Sequence, residues 1–229
     1  METFKIVLLG ESGVGKTSII SQFIDQTFQE DIQSSTGGTF SSKTFTYDHG
    51  KLLKFEIWDT AGQERYRALT KMFYKDANAA ALVYDITRKI SFEELQSYWF
   101  EQIKESAPSN IILSVVANKG DLINEEEVDE GKAREYANEI GAFFCTTSAK
   151  NSSGINDLFL QIAQKHTGFD DIKIKNDDED LSQMEEHKSK NGSMKITKEK
   201  TFDKKEKKKK MLLNIIKFTI LYLKLYNLD

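Results

Sequence analysis

The chain has 229 residues, of which 39% are hydrophobic and 30% are charged, and its formal net charge is −4. This length allows one α/β domain followed by an extension, and the negative charge argues against nucleic-acid binding by the chain as a whole. The single cysteine excludes an internal disulfide framework. No apolar leader with a small-residue cleavage site precedes the first predicted strand, so we expect a cytoplasmic protein.

Apolar runs along the chain predict the sheet. Residues 5–9, 79–84, 111–117 and 142–145 form unbroken runs, which are typical of parallel strands covered on both faces. Between Phe40 and Trp58, two further runs flank a turn and predict an antiparallel hairpin. We therefore expect an α/β fold: a doubly wound, mostly parallel six-stranded sheet with one antiparallel edge hairpin and ligands at the carboxyl ends of its strands.

Helical patterns alternate with these strands. Ser91 and Glu94 form a capping-box signature ahead of an apolar face. Two more apolar faces repeat at helical spacing over residues 133–140 and 155–163, and Gly141 ends the first of them.

A glycine-rich octet, Gly10-Glu11-Ser12-Gly13-Val14-Gly15-Lys16-Thr17, follows the first strand directly. Its backbone N–H groups can turn inward around phosphate groups, while Lys16 supplies positive charge and the Thr17 hydroxyl can ligate Mg²⁺. Taken alone, the octet is also compatible with a strand-to-helix turn that binds nothing.

Three downstream motifs argue against that alternative, because each stands at the end of an apolar run. They are Trp58-Asp59-Thr60-Ala61-Gly62-Gln63-Glu64, Asn118-Lys119-Gly120-Asp121 and Thr147-Ser148-Ala149-Lys150. With the octet, they resemble the small GTPases of the Ras superfamily, and the first is most similar to the Rab branch. The resemblance covers residues 3–167 and implies a P-loop GTPase fold with a GTP-binding, GTP-hydrolysing switch that regulates vesicle traffic.

The resemblance implies a role for each matching residue. Gln63 would orient the attacking water, and hydrolysis would be slow without a GTPase-activating protein. Asp121 favours GTP over ATP, because a carboxylate accepts from both the ring N–H and the amine of guanine. The phosphates would be held by Ser12, Gly13, Val14, Gly15, Lys16, Thr17, Ser18 and Gly62. The base would be held by Phe28, Asn118, Lys119, Asp121, Ser148, Ala149 and Lys150.

The same resemblance implies a Mg²⁺ site made by Thr17, Asp59 and a further hydroxyl. Counting forward from the octet places that hydroxyl at Ser35, whereas counting backward from the Trp58-Asp59 motif places it at Thr36. We choose Ser35 because Phe40 then matches the first aromatic residue of the following strand, which puts one inserted residue in the hairpin.

Partners follow from the resemblance as well. Phe40, Trp58 and Tyr74 match aromatic residues that Rab-like proteins present to effectors, with core packing as the alternative, most of all for Tyr74. An exchange factor, a GTPase-activating protein and the cytosolic face of endomembranes are also implied. Two other interpretations remain open: a nucleotide-binding scaffold with negligible hydrolysis, which Ser12 and Ser35 favour, and an ATP-using P-loop enzyme.

The composition changes after residue 167. Residues 168–210 are acidic and then basic, which predicts a disordered tail. Residues 211–229 are apolar and form either a membrane anchor acting with the basic block at 204–210 or a product of gene-model read-through. Rab-like proteins end in prenylated cysteines, whereas no cysteine follows Cys145 here.

Overall fold

The computed structural model describes residues 1–30, 39–60 and 73–174. Within these ranges the sheet has seven strands in the order β6-β5-β4-β1-β3-β2-β7. All pairings are parallel except those of β2, which is antiparallel to both of its neighbours. The strands are β1 Glu2–Leu9, β2 Thr39–Tyr47, β3 Lys51–Asp59, β4 Ala79–Asp85, β5 Ile112–Asn118, β6 Phe143–Thr146 and β7 Ile172–Ile174. The predicted mostly parallel α/β fold is confirmed.

Helices connect the parallel strands. Among the described residues, helices span α1 Lys16–Asp25, α2 Lys89–Glu94, the π-helical segment Leu95–Trp99, α3 Phe100–Ser106, α4 Glu130–Glu139 and α5 Ile155–Thr167, and 3₁₀ helices span Asp48–Gly50 and Gly120–Glu125. None of them is long and apolar enough to cross a lipid bilayer. The predicted capping box is wrong, since α2 begins two residues before Ser91. The Ser91 hydroxyl is fully buried and donates to the Arg88 carbonyl at 2.7 Å.

The central strands β1 and β4 are covered on both faces, which explains why the β1 sequence is an unbroken apolar run. Ile6 and Leu8 belong to one buried cluster, whereas Val7 and Leu9 belong to a second cluster. Successive strand residues point to opposite faces, so both faces of β1 need apolar side chains. Along these central strands, polar side chains are therefore placed mainly where the strands end.

The predicted hairpin forms, but it does not lie at the edge of the sheet. β7 pairs with β2 in the register Tyr47↔Ile172 and Phe45↔Ile174, which gives seven strands rather than the predicted six. β7 lies in the segment for which composition predicts disorder. Ile172 is nevertheless only 9% exposed and joins the core, and the Phe169 ring lies 5.9 Å from the Tyr47 ring.

We expect Ile172→Ala to lower the free energy of unfolding by about 2 kcal/mol, because it removes a buried side chain from the β2 edge. Urea unfolding of the full chain measures this. Lys173→Ala is the matched control, because Lys173 is exposed and its loss should change stability by less than about 0.5 kcal/mol. Equal effects of the two substitutions would show that β7 does not contribute to the core.

Candidate functional site

A cavity of about 340 Å³ gathers the segments that follow β1, β3, β5 and β6. This is the edge of a doubly wound sheet where ligands bind. Most of the residues predicted to contact phosphate or base are brought together here. The cavity is lined by Ser12, Gly13, Gly15, Lys16, Thr17, Ser18, Phe28, Gln29, Glu30, Thr60, Asn118, Lys119, Asp121, Leu122, Ala149 and Lys150.

Two glycines of the octet are required by close approach. A Cβ at Gly10 would lie 2.1 Å from the Val83 carbonyl oxygen, and a Cβ at Gly15 would lie 2.3 Å from Asn118 Nδ2. Both have positive φ angles, +145° and +96°, which side chains other than glycine disfavour. The octet therefore passes directly over the ends of β4 and β5.

Lys16 is folded back into the octet. Its Nζ donates to the carbonyls of Gly10 at 2.7 Å and Glu11 at 2.8 Å, and the residue is 6% exposed. Burial lowers the pKa of the Lys16 ammonium to about 8, although Asp59 and Glu11 act in the opposite direction. An anion beside the octet would favour the charged form of this lysine. Gly15 caps α1 without a side-chain hydrogen bond, which suits anion binding by the helix N-terminus.

Oxygen donors suited to Mg²⁺ meet beside the octet. The Thr17 hydroxyl donates to Asp59 Oδ2 at 2.6 Å, and Asp59 ends β3 at 2% exposure. The next residue, Thr60, donates from its hydroxyl to the Leu8 carbonyl at 2.6 Å, which fixes the end of β3 against β1. A hydroxyl and a carboxylate are ligands that Mg²⁺ accepts, so this pair fits that ion.

Asn118 joins the octet to the loops after β5 and β6. Its Nδ2 donates to the Val14 carbonyl at 2.8 Å, and its Oδ1 accepts from the Thr147 hydroxyl at 3.1 Å. The Thr147 carbonyl in turn accepts from Gly120 N at 2.9 Å. Asn118 is 1% exposed, so this network is shielded from water and rigid.

The far end of the cavity carries Asp121. The Ser148 hydroxyl donates to Asp121 Oδ1 at 2.5 Å, and the same hydroxyl accepts from Asn151 N at 3.3 Å. The carboxylate is therefore held by a loop that is itself fixed. Phe28 is 36% exposed at this end of the cavity.

Two lysines flank the cavity through ion pairs. Lys119 adopts a left-handed backbone conformation, and its Nζ lies 2.6 Å from Oδ2 of the fully buried Asp85. Lys150 Nζ lies 3.2 Å from Glu30 Oε1, with both side chains largely exposed. Asp85 therefore positions the Lys119 stem at the wall of the cavity.

Two residues predicted to contact phosphate or base are not among those that line the cavity, and other predicted site residues lie outside the described residues. Val14 is fully buried and contributes its main-chain carbonyl, while Ser148 supports Asp121 from behind the cavity wall. The predicted residues Ser35, Gly62 and Gln63 lie outside the described ranges, as do Thr36 and residues 175–229.

The predicted effector aromatics divide into two groups. Phe40 and Trp58 are half-buried partners across β2 and β3, with ring centroids 5.3 Å apart. Tyr74 differs from the prediction of a surface residue: it is 1% exposed, packs in the core, and its hydroxyl donates to Gln102 Oε1 at 3.4 Å. Burial raises the pKa of Tyr74. Its side chain faces α3 rather than solvent, so we assign it to the core.

Sequence reasoning missed residues that support the site. Asp85 had a usable signal, since it is the polar residue that ends a buried strand, and Thr147 lies within a recognised motif. Glu30 and Arg88 had none, because their contacts join segments that are distant along the chain: Arg88 Nη1 donates to the Ser12 carbonyl at 3.1 Å.

Comparison with known proteins gives consistent matches. The Ras family matches residues 5–167. The human Ras-related protein Rab-22A is 44% identical over 165 residues, which is 72% of this chain and 84% of the relative. Rat Ras-related protein Rab-31 is 44% identical over 161 residues, 70% of this chain and 82% of the relative. The GTP-binding protein ypt5 of Schizosaccharomyces pombe is 42% identical over 162 residues, 70% of this chain and 76% of the relative.

Proposed function

Because this chain belongs to the Ras family, as one of its Rab-like small GTPases, we propose that its cavity holds GTP or GDP together with Mg²⁺. The chain is a GTPase that hydrolyses GTP to GDP and regulates membrane trafficking. The observation that supports the proposal most is that one cavity places buried Lys16 and the N-terminus of α1 at one end and Asp121 at the other. A cation and a carboxylate in the same cavity suit phosphates and a base.

At the phosphate end, residues 12–18 supply inward N–H groups and the Lys16 charge, which balance negative charge on the phosphates. Thr17, Asp59 and Ser35 would hold Mg²⁺, which neutralises charge on the β- and γ-phosphate oxygens when it is bound. The Thr17–Asp59 contact at 2.6 Å supports this assignment.

At the base end, Asp121 would accept from guanine, while the stems of Lys119 and Lys150 cover its faces. Phe28 would lie beside the base, and the backbone at Ala149 would complete recognition. Asn118 holds the octet and the base loops in register. Adenine cannot donate both hydrogen bonds to Asp121, so excess ATP should fail to displace GTP. Effective ATP competition would favour the ATP-using alternative.

Gln63 would orient the attacking water, and Gly62 would sense the γ-phosphate. We expect Gln63→Leu to slow single-turnover GTP hydrolysis by tenfold or more while GTP affinity stays within about threefold, since leucine keeps the volume but cannot orient water. Quench-flow measurement of phosphate release tests this. Equal rates for wild type and variant, both at the uncatalysed level, would instead support the nucleotide-binding scaffold.

Regulators and effectors would read the nucleotide state from the surface next to the cavity. We propose that Phe40 and Trp58, together with the segment after Trp58, contact effectors, because half-buried aromatics are common interface anchors. An exchange factor and a GTPase-activating protein complete the cycle on the cytosolic face of endomembranes.

We propose that the residues after β7, up to residue 210, link the GTPase domain to a membrane-binding segment. The lysines at 204–210 and the apolar residues 211–229 would combine two weak signals. We expect deletion of 211–229 to release the protein from anionic vesicles almost completely, whereas high salt should release the intact chain only in part, because salt screens lysines but not buried leucines. An intact chain that does not sediment with vesicles at low salt would favour read-through.

A further inference from the structure

The main chain of Arg88 is held in place just after the end of β4. Its N–H donates to the Asp85 carbonyl at 3.0 Å, and its own carbonyl accepts from Ser91 N at 2.9 Å and from the Ser91 hydroxyl at 2.7 Å. Asp85 and Ser91 are both fully buried. The main chain of Arg88 is therefore held in place by buried residues, and its position determines where the side chain can reach.

That side chain crosses to the octet. Arg88 Nη1 donates to the Ser12 main-chain oxygen at 3.1 Å and lies 3.4 Å from where a Cβ on Gly13 would be. Ser12 and Gly13 both line the cavity. The guanidinium therefore contacts two residues that also line the cavity.

The Arg88 side chain is exposed. Among the described residues, no carboxylate lies within ion-pair distance of its guanidinium. Arg134, by contrast, pairs with Glu130 at 2.7 Å, and the neighbouring Lys89 pairs with Glu93 at 3.5 Å. A guanidinium offers five N–H donors, and Ser12 uses one of them.

We propose that Arg88 is a positioning residue for the phosphate end of the cavity. It holds the Ser12 carbonyl, and it adds positive charge beside the octet that no carboxylate among the described residues pairs with. The inference rests on the proposed function. Because GTP carries one more phosphate than GDP at the end away from the base, loss of this charge weakens GTP binding more than GDP binding. Arg88 acts through the octet and through its field, not by contact with the base.

The test compares Arg88→Gln with Lys89→Gln in the full chain. Lys89→Gln removes the same charge one residue away but leaves the Ser12 contact intact. Displacement of labelled GDP and of a non-hydrolysable GTP analogue gives both dissociation rates, where affinity changes mostly appear. We expect Arg88→Gln to speed release of the GTP analogue about tenfold and of GDP about threefold. We expect Lys89→Gln to change both within about twofold, and Arg88→Lys to restore most of the preference for the GTP analogue.

The possible results distinguish a failure of this proposal from a failure of the proposed function. Uniformly faster release of both nucleotides by Arg88→Gln, with no change in their ratio, would indicate a merely structural role and overturn the proposal. So would equal behaviour of Arg88→Gln and Lys89→Gln. A wild-type chain that binds ATP as well as GTP would contradict the proposed base recognition, whereas the GTP-analogue-to-GDP ratio of Arg88→Gln tests the arginine alone.

Discussion

Replacing Asp121 with Asn is expected to weaken GTP binding about a hundredfold or more. The carboxylate accepts two hydrogen bonds from guanine, whereas an amide places its own N–H₂ against one of those donors and leaves a buried polar group unpaired. Sites built to hydrogen-bond a substrate discriminate by large factors for this reason. The same amide should improve binding of xanthine nucleotides, which carry a carbonyl acceptor where guanine carries its amine.

Equilibrium competition of GTP and XTP for the wild-type and Asp121→Asn chains measures this exchange of preference. Ser148→Ala is the matched control. It keeps the carboxylate but removes the hydroxyl that holds it at 2.5 Å, so it should weaken GTP binding only modestly, with no gain for XTP. If Asp121→Asn left GTP affinity unchanged, the base would not be recognised by this carboxylate.

The location of the site could be predicted from sequence because each motif directly follows a buried strand. Parallel strands end at one edge of the sheet, so residues as distant along the chain as Lys16 and Asp121 must meet there. The strands themselves could be predicted because a strand covered on both faces, such as β1, needs apolar residues along its buried length.

Other features of the fold and of the site could not be predicted from the sequence, for physical reasons. β7 contains three residues in a polar segment, and Ile172 is buried only because the β2 edge is available to pair. Ser91 matches a capping pattern, but the buried end of β4 competes for its hydroxyl more effectively. The contacts of Tyr74 and Arg88 depend on which element lies opposite each side chain. Such contacts are set by tertiary packing, which no local pattern encodes.

Asn118→Ala is expected to have an equally large effect through a different cause. The asparagine donates to Val14 and accepts from Thr147, so its removal leaves two buried polar groups unpaired, each costing about 1–3 kcal/mol. The free energy of unfolding should fall by about 2–4 kcal/mol. GTP and GDP affinity should both fall about a hundredfold, because the octet and the base loops lose their common support.

Thr147→Val distinguishes the loss of one hydrogen bond of this network from the loss of the Asn118 side chain. Valine keeps the shape of threonine and removes only the hydroxyl donated to Asn118 Oδ1, while the bond from Nδ2 to the Val14 carbonyl stays. We therefore expect a loss of about tenfold or less in nucleotide affinity. Denaturant unfolding and nucleotide release from the same three proteins give both quantities. If Asn118→Ala lowered stability and nucleotide affinity no more than Thr147→Val, the hydrogen bond from Asn118 to the octet would contribute little to either. Asn118 would then matter to the octet only by its close packing against Gly15.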